Sequence, residues 1–232
     1  MKEPNVKLNL AALDTGRVAL LPYEYHKTYF NASPVASDTP TVTAGGAPPA
    51  PADPLVFGRK GVHGDGSCFF HALCTAQNTH NYLALSAAEQ QRIGHRYRCR
   101  FIKHVTPQRW AKFLRRHKLK TKVSYEQLQR NFCNNRHWAD ELMIRLVSDV
   151  LHLNVMFLNS EDRKIYCGVH GERTEPMILI LWLKHSHFEP VFRVREFDTE
   201  NRRVGAQFMF DADEDKAVID TVFSSYDGMC DA

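Results

Sequence analysis

The chain has 232 residues, a formal net charge of +4 and a hydrophobic fraction of 44%, which is enough for one sizeable domain with a buried core. No apolar run approaches the roughly 18 residues that a membrane-spanning helix needs, and the N-terminus does not resemble a secretory signal. The six cysteines include no Cys-x-x-Cys pair. We therefore expect reduced thiols, no membrane association and a location in the cytoplasm or nucleus.

The first 54 residues divide into two parts. Residues 1–30 form an N-terminal arm with apolar pieces and aromatic residues, which either packs on the main domain or serves as a docking arm. Residues 31–54 hold six of the eleven prolines and no aromatic residue, so they cannot bury enough surface to offset their conformational entropy. We predict a Pro/Ala-rich flexible linker there, followed by a main domain over residues 55–195.

Helices are predicted in the first half of the main domain. The apolar segment 69–77 indicates a helix that is buried on both sides. Five apolar residues at helical spacing predict a helix over 137–151 with a buried stripe that includes Trp138. Three capping patterns mark the starts of the helices between these two: Ser86 with Glu89, Thr106 with Pro107, and Ser124 with Gln127.

Strands are predicted in the second half. The segments with strand character are 155–158, 164–169, 178–183 and 188–194. Helices followed by a strand meander predict an α+β fold, in which the helices pack on a mostly antiparallel central sheet.

An acidic C-terminal tail is predicted over residues 196–232. Lys and Arg number 3 there against 10 Asp and Glu, whereas residues 57–195 carry 23 against 11. We expect the tail to be disordered. The alternatives are a short partner-binding helix around residues 218–223, or a tail that folds back onto the basic part of the chain.

The stretch GDGSCFFHAL places Cys68 directly after a tight turn and at the start of a predicted helix. Backbone N–H groups at a helix start stabilise a thiolate and can hold an oxyanion, so Cys68 is a candidate nucleophile. Asp65 can brace the turn by accepting backbone hydrogen bonds. On this stretch alone, a buried structural cysteine is the alternative.

A candidate base follows the most apolar predicted strand. His187 and Glu189 are two residues apart and share one face of a strand, so the carboxylate can orient the imidazole, which in turn can activate a thiol. A surface His and Glu in a turn is the alternative, and His185 is a rival for the base. The His-x-His pair has no further ligands at suitable spacing, so we predict no metal site.

Three motifs resemble those of the OTU (ovarian tumour) family of cysteine proteases. They are Asp65-Gly66-Ser67-Cys68-Phe69-Phe70-His71-Ala72, Trp138-Ala139-Asp140-Glu141-Leu142 and His187-Phe188-x-x-Val191. All three occur in the family's order. The resemblance implies a papain-like OTU fold over residues 55–195, with Trp138 and Glu141 holding a helix against the sheet and Phe188 pointing into the core.

The resemblance also implies roles for the matching residues. Cys68 is the expected nucleophile, His187 the general base and Asp65 the brace of the loop that forms the oxyanion hole. Glu189 stands where the family often has Asp or Asn, and we keep it as the third catalytic member although its side chain is one methylene longer.

The function that the resemblance implies is a cysteine-dependent deubiquitinase. Such an enzyme hydrolyses isopeptide bonds after the C-terminal Gly-Gly of ubiquitin or polyubiquitin, or of a ubiquitin-like modifier, through a thioester and without a cofactor. We expect a monomer, which acts in a host cell and in a host–virus interaction if the protein is a viral or bacterial effector.

The segment from Arg92 to Lys122 supports an alternative function. It holds twelve Lys or Arg residues and no Asp or Glu. One interpretation is a set of helices with solvated basic faces. The other is a surface for nucleic acid or another polyanion, on an OTU-like scaffold whose hydrolytic activity is weak or lost.

Overall fold

The computed structural model describes residues 6–9, 18–21, 25, 29, 56–168, 173–184, 186–198 and 203–225. Its helices are α1 (Cys68–Gln77), α2 (Thr79–Leu83), α3 (Ala87–Lys103), α4 (Pro107–Arg116), α5 (Tyr125–Cys133), α6 (Glu141–Leu151) and α7 (Lys216–Ser224). Its strands are β1 (Val6–Asn9), β2 (Val18–Leu20), β3 (Phe57–Lys60), β4 (Asn154–Asn159), β5 (Ile165–Cys167), β6 (Met177–Leu183), β7 (His187–Asp198), β8 (Arg203–Gln207) and β9 (Met209–Phe210). The predicted linker 31–54 lies outside the described residues.

Three helices begin where the capping patterns predicted. Ser86 and Glu89 form a complete capping box at the start of α3. The Thr106 hydroxyl accepts a hydrogen bond from a first-turn N–H of α4, and the Ser124 hydroxyl does the same for α5, each at 3.1 Å. These local bonds satisfy amide groups that have no partner inside a helix, so the sequence alone was sufficient to place the helix starts.

Helix α6 begins four residues later than predicted. The Asp140 carboxylate caps it by accepting a hydrogen bond from the N–H of Met143 at 2.8 Å. The preceding residues therefore form a loop, and Trp138 is 55% exposed on that loop. The prediction of Trp138 in a buried stripe is wrong. Glu141 does not hold the helix against the sheet either, because its side chain is 77% exposed and pairs with Arg145.

The sheet is mixed but mostly antiparallel. Its main path is β1-β8-β7-β6-β4-β5, with β3 added on β7, β2 on β3 and β9 on β6. Only the β4–β6 pair among the described strands is parallel. The prediction of an α+β fold with helices on a mostly antiparallel sheet is confirmed.

Both faces of the sheet are covered. Phe157 of β4 and Ile180 of β6 belong to the hydrophobic cluster on the helical side, whereas their neighbours Leu158 and Leu181 belong to a second cluster. Because successive strand residues point to opposite faces, the two clusters lie on opposite sides of the sheet. This explains why β6 reads as a continuous apolar run, which is typical of a strand buried on both faces.

The N-terminal arm contributes to the second cluster. Tyr29 is fully buried there, and its hydroxyl donates a hydrogen bond to the carbonyl of Asn159. The N–H of Leu21 donates to the carbonyl of Phe57 at 2.9 Å. The described parts of the arm therefore pack on the domain, which was the first of the two interpretations.

The expected disorder of the acidic tail is wrong for residues 203–225. Val218, Ile219 and Val222 of α7 are buried in the second cluster, so they are not presented to a partner. Asp215 is buried and accepts hydrogen bonds from Arg195 of β7 at 2.5 Å and from Gln207 at 2.7 Å. Apolar spacing and this buried carboxylate hold the segment on the sheet despite its net negative charge. The division of the chain into domains stays a prediction.

No helix in the described ranges is both long enough and apolar enough to cross a membrane.

Candidate functional site

A tight turn presents Cys68 at the first position of α1. Gly66 has φ +81°, a left-handed conformation that favours glycine. A Cβ at this position would lie 1.6 Å from the carbonyl oxygen of Asn135, so the turn passes directly against the loop that precedes α6. The Asp65 carboxylate accepts a hydrogen bond from the N–H of Ser67 at 2.9 Å. This hydrogen bond links the Asp65 side chain to the backbone of the turn.

The buried side chain of His71 contacts the carboxylate of Asp65. The Nε2 atom of His71 lies 3.0 Å from Oδ1 of Asp65, and its Nδ1 atom lies 2.5 Å from the hydroxyl oxygen of Tyr82. Burial lowers the pKa of His71 and outweighs the opposing effect of Asp65. A neutral imidazole can donate to Asp65 through Nε2 and accept from Tyr82 through Nδ1. These contacts limit the freedom of the Asp65 carboxylate.

The fold brings His187 to Cys68 although 119 residues separate them. Helix α1 packs on β7, and the rings of Phe69 and Phe188 lie 6.2 Å apart. Phe188 is buried, as the resemblance implied. Two contacts raise the pKa of His187 to about 9: the contact with the Cys68 thiol has the larger effect, and the contact with Glu189 adds to it. The site therefore favours the imidazolium form of His187.

Glu189 lies beside His187 in the interior. Its Oε1 atom is 3.6 Å from Nε2 of His187, and its Oε2 atom accepts a hydrogen bond from the guanidinium of Arg59 on β3. Burial works to raise the pKa of Glu189, but the contacts with His187 and Arg59 outweigh it and lower the pKa. Glu189 is thus a buried carboxylate with two cationic partners, and the longer side chain still reaches the imidazole.

The structure brings three predicted residues together: Cys68, His187 and Glu189. The fourth, Asp65, contacts the backbone of the turn and the side chain of His71. The rival base His185 lies outside the described residues. Within the described ranges, no group of three or more His, Cys, Asp or Glu residues could hold a metal ion. The arrangement of thiol, imidazole and carboxylate is suited to nucleophilic catalysis.

Sequence reasoning missed two arginines. Arg59 was not considered, because nothing in the FGRK stretch signals a distant carboxylate. Arg98 was placed in the basic stretch, but it is fully buried, so the interpretation of this residue as part of a basic surface is wrong. It shares the buried face of α3 with Phe101 and Ile102, and this helical spacing was the signal that could have identified it.

Arg98 joins the nucleophile turn to the neighbouring loop. Its guanidinium donates to the carbonyl of Gly66 at 2.7 Å and to the carbonyl of His137 at 2.7 Å. It also donates to the carbonyls of Asn131 and Phe132 at the end of α5. One buried side chain therefore holds three segments of backbone around the turn that carries Cys68.

The loop before α6 also exposes an aromatic side chain beside this turn. Trp138 is the one large hydrophobic residue that is exposed in the described part of the chain. A Cβ on Gly66 would lie 3.6 Å from the Cδ1 atom of Trp138. An exposed indole next to a candidate nucleophile is a candidate contact for substrate.

Comparison with known proteins gives similarity only among solved structures. No family model matches the chain, and no curated protein matches it. An OTU domain protease of Qalyub virus is 20% identical over 60% of this chain and 85% of that chain, with a TM-score of 0.42. An OTU domain in complex with ubiquitin is 16% identical over 73% of this chain and 84% of that chain, with a TM-score of 0.46. An OTU deubiquitinase of Wolbachia pipientis is 16% identical over 62% of this chain and 93% of that chain, with a TM-score of 0.38. These structures come from the family that the sequence motifs indicated.

Proposed function

We propose that the protein is a cysteine-dependent deubiquitinase that acts in the cytoplasm or nucleus. The observation that carries this proposal is the contact between His187 and the thiol of Cys68 at the start of α1, with the buried carboxylate of Glu189 3.6 Å from Nε2 of the same imidazole. The substrate class, ubiquitin or a ubiquitin-like modifier, rests on the resemblance of the three sequence motifs to the OTU family.

The geometry supports attack by a thiolate. His187 holds the proton of the Cys68 thiol as an imidazolium, and the resulting thiolate attacks the carbonyl carbon of the last glycine. No side chain in the described residues caps the start of α1, so its first N–H groups are free to stabilise the oxyanion. His187 then gives the proton to the departing lysine amine, and a thioester remains. Water activated by His187 hydrolyses the thioester and restores the thiol.

Labelling with a ubiquitin probe that carries a C-terminal electrophile tests the proposal. We expect a covalent adduct in the wild type and none in Cys68→Ala. Cys133→Ala is the matched control, because Cys133 is an exposed thiol and would be labelled if exposure alone determined reactivity. An adduct that persists in Cys68→Ala would refute the assignment. So would a wild type that reacts with neither ubiquitin probes nor ubiquitin-like probes.

The hydrolysis rate should fall on the alkaline side near pH 9. His187 must be protonated to supply the proton for the departing amine, and its pKa is raised to about 9. The imidazolium is therefore present below this pH and is lost as the pH rises through it, so kcat/KM should fall about tenfold per pH unit above that point. Cleavage of diubiquitin measured from neutral to strongly alkaline pH checks this. An alkaline limb near the ordinary histidine pKa of about 6.5 would contradict it.

A further inference from the structure

Helix α3 presents a row of arginines and lysine to solvent. Arg92, Arg96, Arg100 and Lys103 are all exposed, and their spacing of four, four and three residues places them on one side of the helix. Successive members are separated by about 4.5 to 6 Å along the axis, because each residue rises about 1.5 Å. The opposite side of α3 is buried. We call these four residues the basic stripe.

The basic stripe has little compensation from acidic side chains. Arg92 lies near Glu89, but the structure shows no ion pair from Arg96, Arg100 or Lys103 to any acidic side chain in the described ranges. Like charges four residues apart on a helix destabilise it. The stripe therefore works against the stability of α3, which points to an external anion as its partner.

Two carboxylates of the acidic C-terminal segment pair with cations outside the basic stripe. Asp215 pairs with Arg193 and Arg195, and Asp220 pairs with Arg173 and Lys216. These carboxylates are committed elsewhere in the fold. The alternative in which the tail folds back onto the basic segment is wrong for these two residues.

The chemistry of the surrounding surface favours a duplex over a single strand. Single-strand binding surfaces combine cations with exposed aromatic rings on which bases stack. Here Phe101, Trp110 and Phe113 are buried, and the hydroxyl of Tyr97 is held by Gln77 at 2.8 Å. None of the phenylalanine, tyrosine and tryptophan residues of α3 and α4 is exposed, so these rings do not provide stacking platforms beside the stripe. The next helix, α4, adds further exposed cations such as Lys112 and Arg115.

We propose that the basic stripe binds the phosphate backbone of double-stranded nucleic acid without sequence preference. Phosphate contacts by lysine and arginine supply most of the affinity in such complexes and make it steeply dependent on salt. The stripe contains neither Cys68 nor His187, so nucleic-acid binding and protease activity can be tested separately, and the failure of one proposal is distinguishable from the failure of the other.

Fluorescence anisotropy with duplex RNA and duplex DNA of about 20 base pairs tests this proposal at about 50 mM salt and upwards. The variant Arg96→Gln/Arg100→Gln should bind either duplex at least about tenfold more weakly than wild type. The slope of log K against log salt should become less negative by about 1.8, because two phosphate contacts are lost. The control Arg130→Gln/Arg163→Gln removes two other exposed charges and should change the affinity by less than about threefold.

Three results would overturn the proposal. The first is equal weakening in the two variants, which would indicate a general effect of net charge. The second is tighter binding of a single strand of the same sequence. The third is the absence of duplex binding by the wild type at low salt. Probe labelling of Cys68 should be the same in wild type and in Arg96→Gln/Arg100→Gln, which confirms that the variant is folded.

Discussion

Replacement of Glu189 by Gln should lower kcat for isopeptide cleavage by up to about 10²- to 10⁴-fold, because Glu189 positions the imidazole of His187, whose proton transfer contributes a factor in that range. Glu189 is a buried carboxylate whose Oε1 atom lies 3.6 Å from Nε2 of His187. Its negative charge helps raise the pKa of His187 to about 9. Without that charge the imidazolium is less stable, so the alkaline limb of the rate profile should move to lower pH. KM should change little, because Glu189 acts through His187.

Arg59 provides a test of whether Glu189 acts through its charge and position. In Arg59→Met the carboxylate keeps its contact with His187 but loses its other cationic partner, so we expect a smaller loss of kcat than in Glu189→Gln. In the double variant Arg59→Met/Glu189→Gln, the factor by which kcat falls should be smaller than the product of the two single factors, because both residues act through the imidazole of His187. A Glu189→Gln enzyme with an unchanged alkaline limb and near-normal kcat would show that Glu189 is structural only.

The parts of the fold that the sequence predicted are those with local signals. The capping box at Ser86 is complete within four residues, and the apolar run of β6 needs no distant partner to be recognised. By contrast, β1 has four residues, and Val6 pairs with Ala206, two hundred positions away. No local pattern encodes such a pairing. For α7 the sequence offered a short helix around residues 218–223 as an alternative, but no local pattern showed that its apolar residues pack on the sheet.

In the candidate site, too, the residues with local sequence signals were predicted, whereas those that depend on distant contacts were not. Cys68 and His187 stand in motifs that can be read directly, and a strand period of two was enough to place Glu189 beside His187. Arg59 and Arg98 have their roles only because β3 pairs with β7 and α3 packs beside the nucleophile turn. A charged residue on the buried face of a helix is a usable signal, and it identifies Arg98 but not Arg59.

Replacement of Arg98 by Met should lower the free energy of unfolding by about 3 to 5 kcal/mol, because a buried cation with several hydrogen bonds is removed and its carbonyl acceptors lose their partners. The guanidinium of Arg98 donates hydrogen bonds to four backbone carbonyls, those of Gly66, His137, Asn131 and Phe132. Methionine fills much of the volume but donates nothing. Denaturant unfolding checks this, with Arg100→Met as the control. Arg100 is exposed on the same helix, and its replacement should change stability by less than about 0.5 kcal/mol.

The same substitution should also slow the reaction of Cys68 in the fraction of molecules that stays folded. Gly66 precedes the nucleophile by two residues, and the Arg98 bond fixes its carbonyl, which limits the movement of the turn that positions the sulfur and the first N–H groups of α1. Arg98→Lys retains the positive charge but replaces a planar fork with a single ammonium group, so it should restore part of the stability and less of the labelling rate. If Arg98→Met were as stable as Arg100→Met and reacted with the ubiquitin probe at the wild-type rate, the turn would be held by Asp65 and the glycine conformation alone.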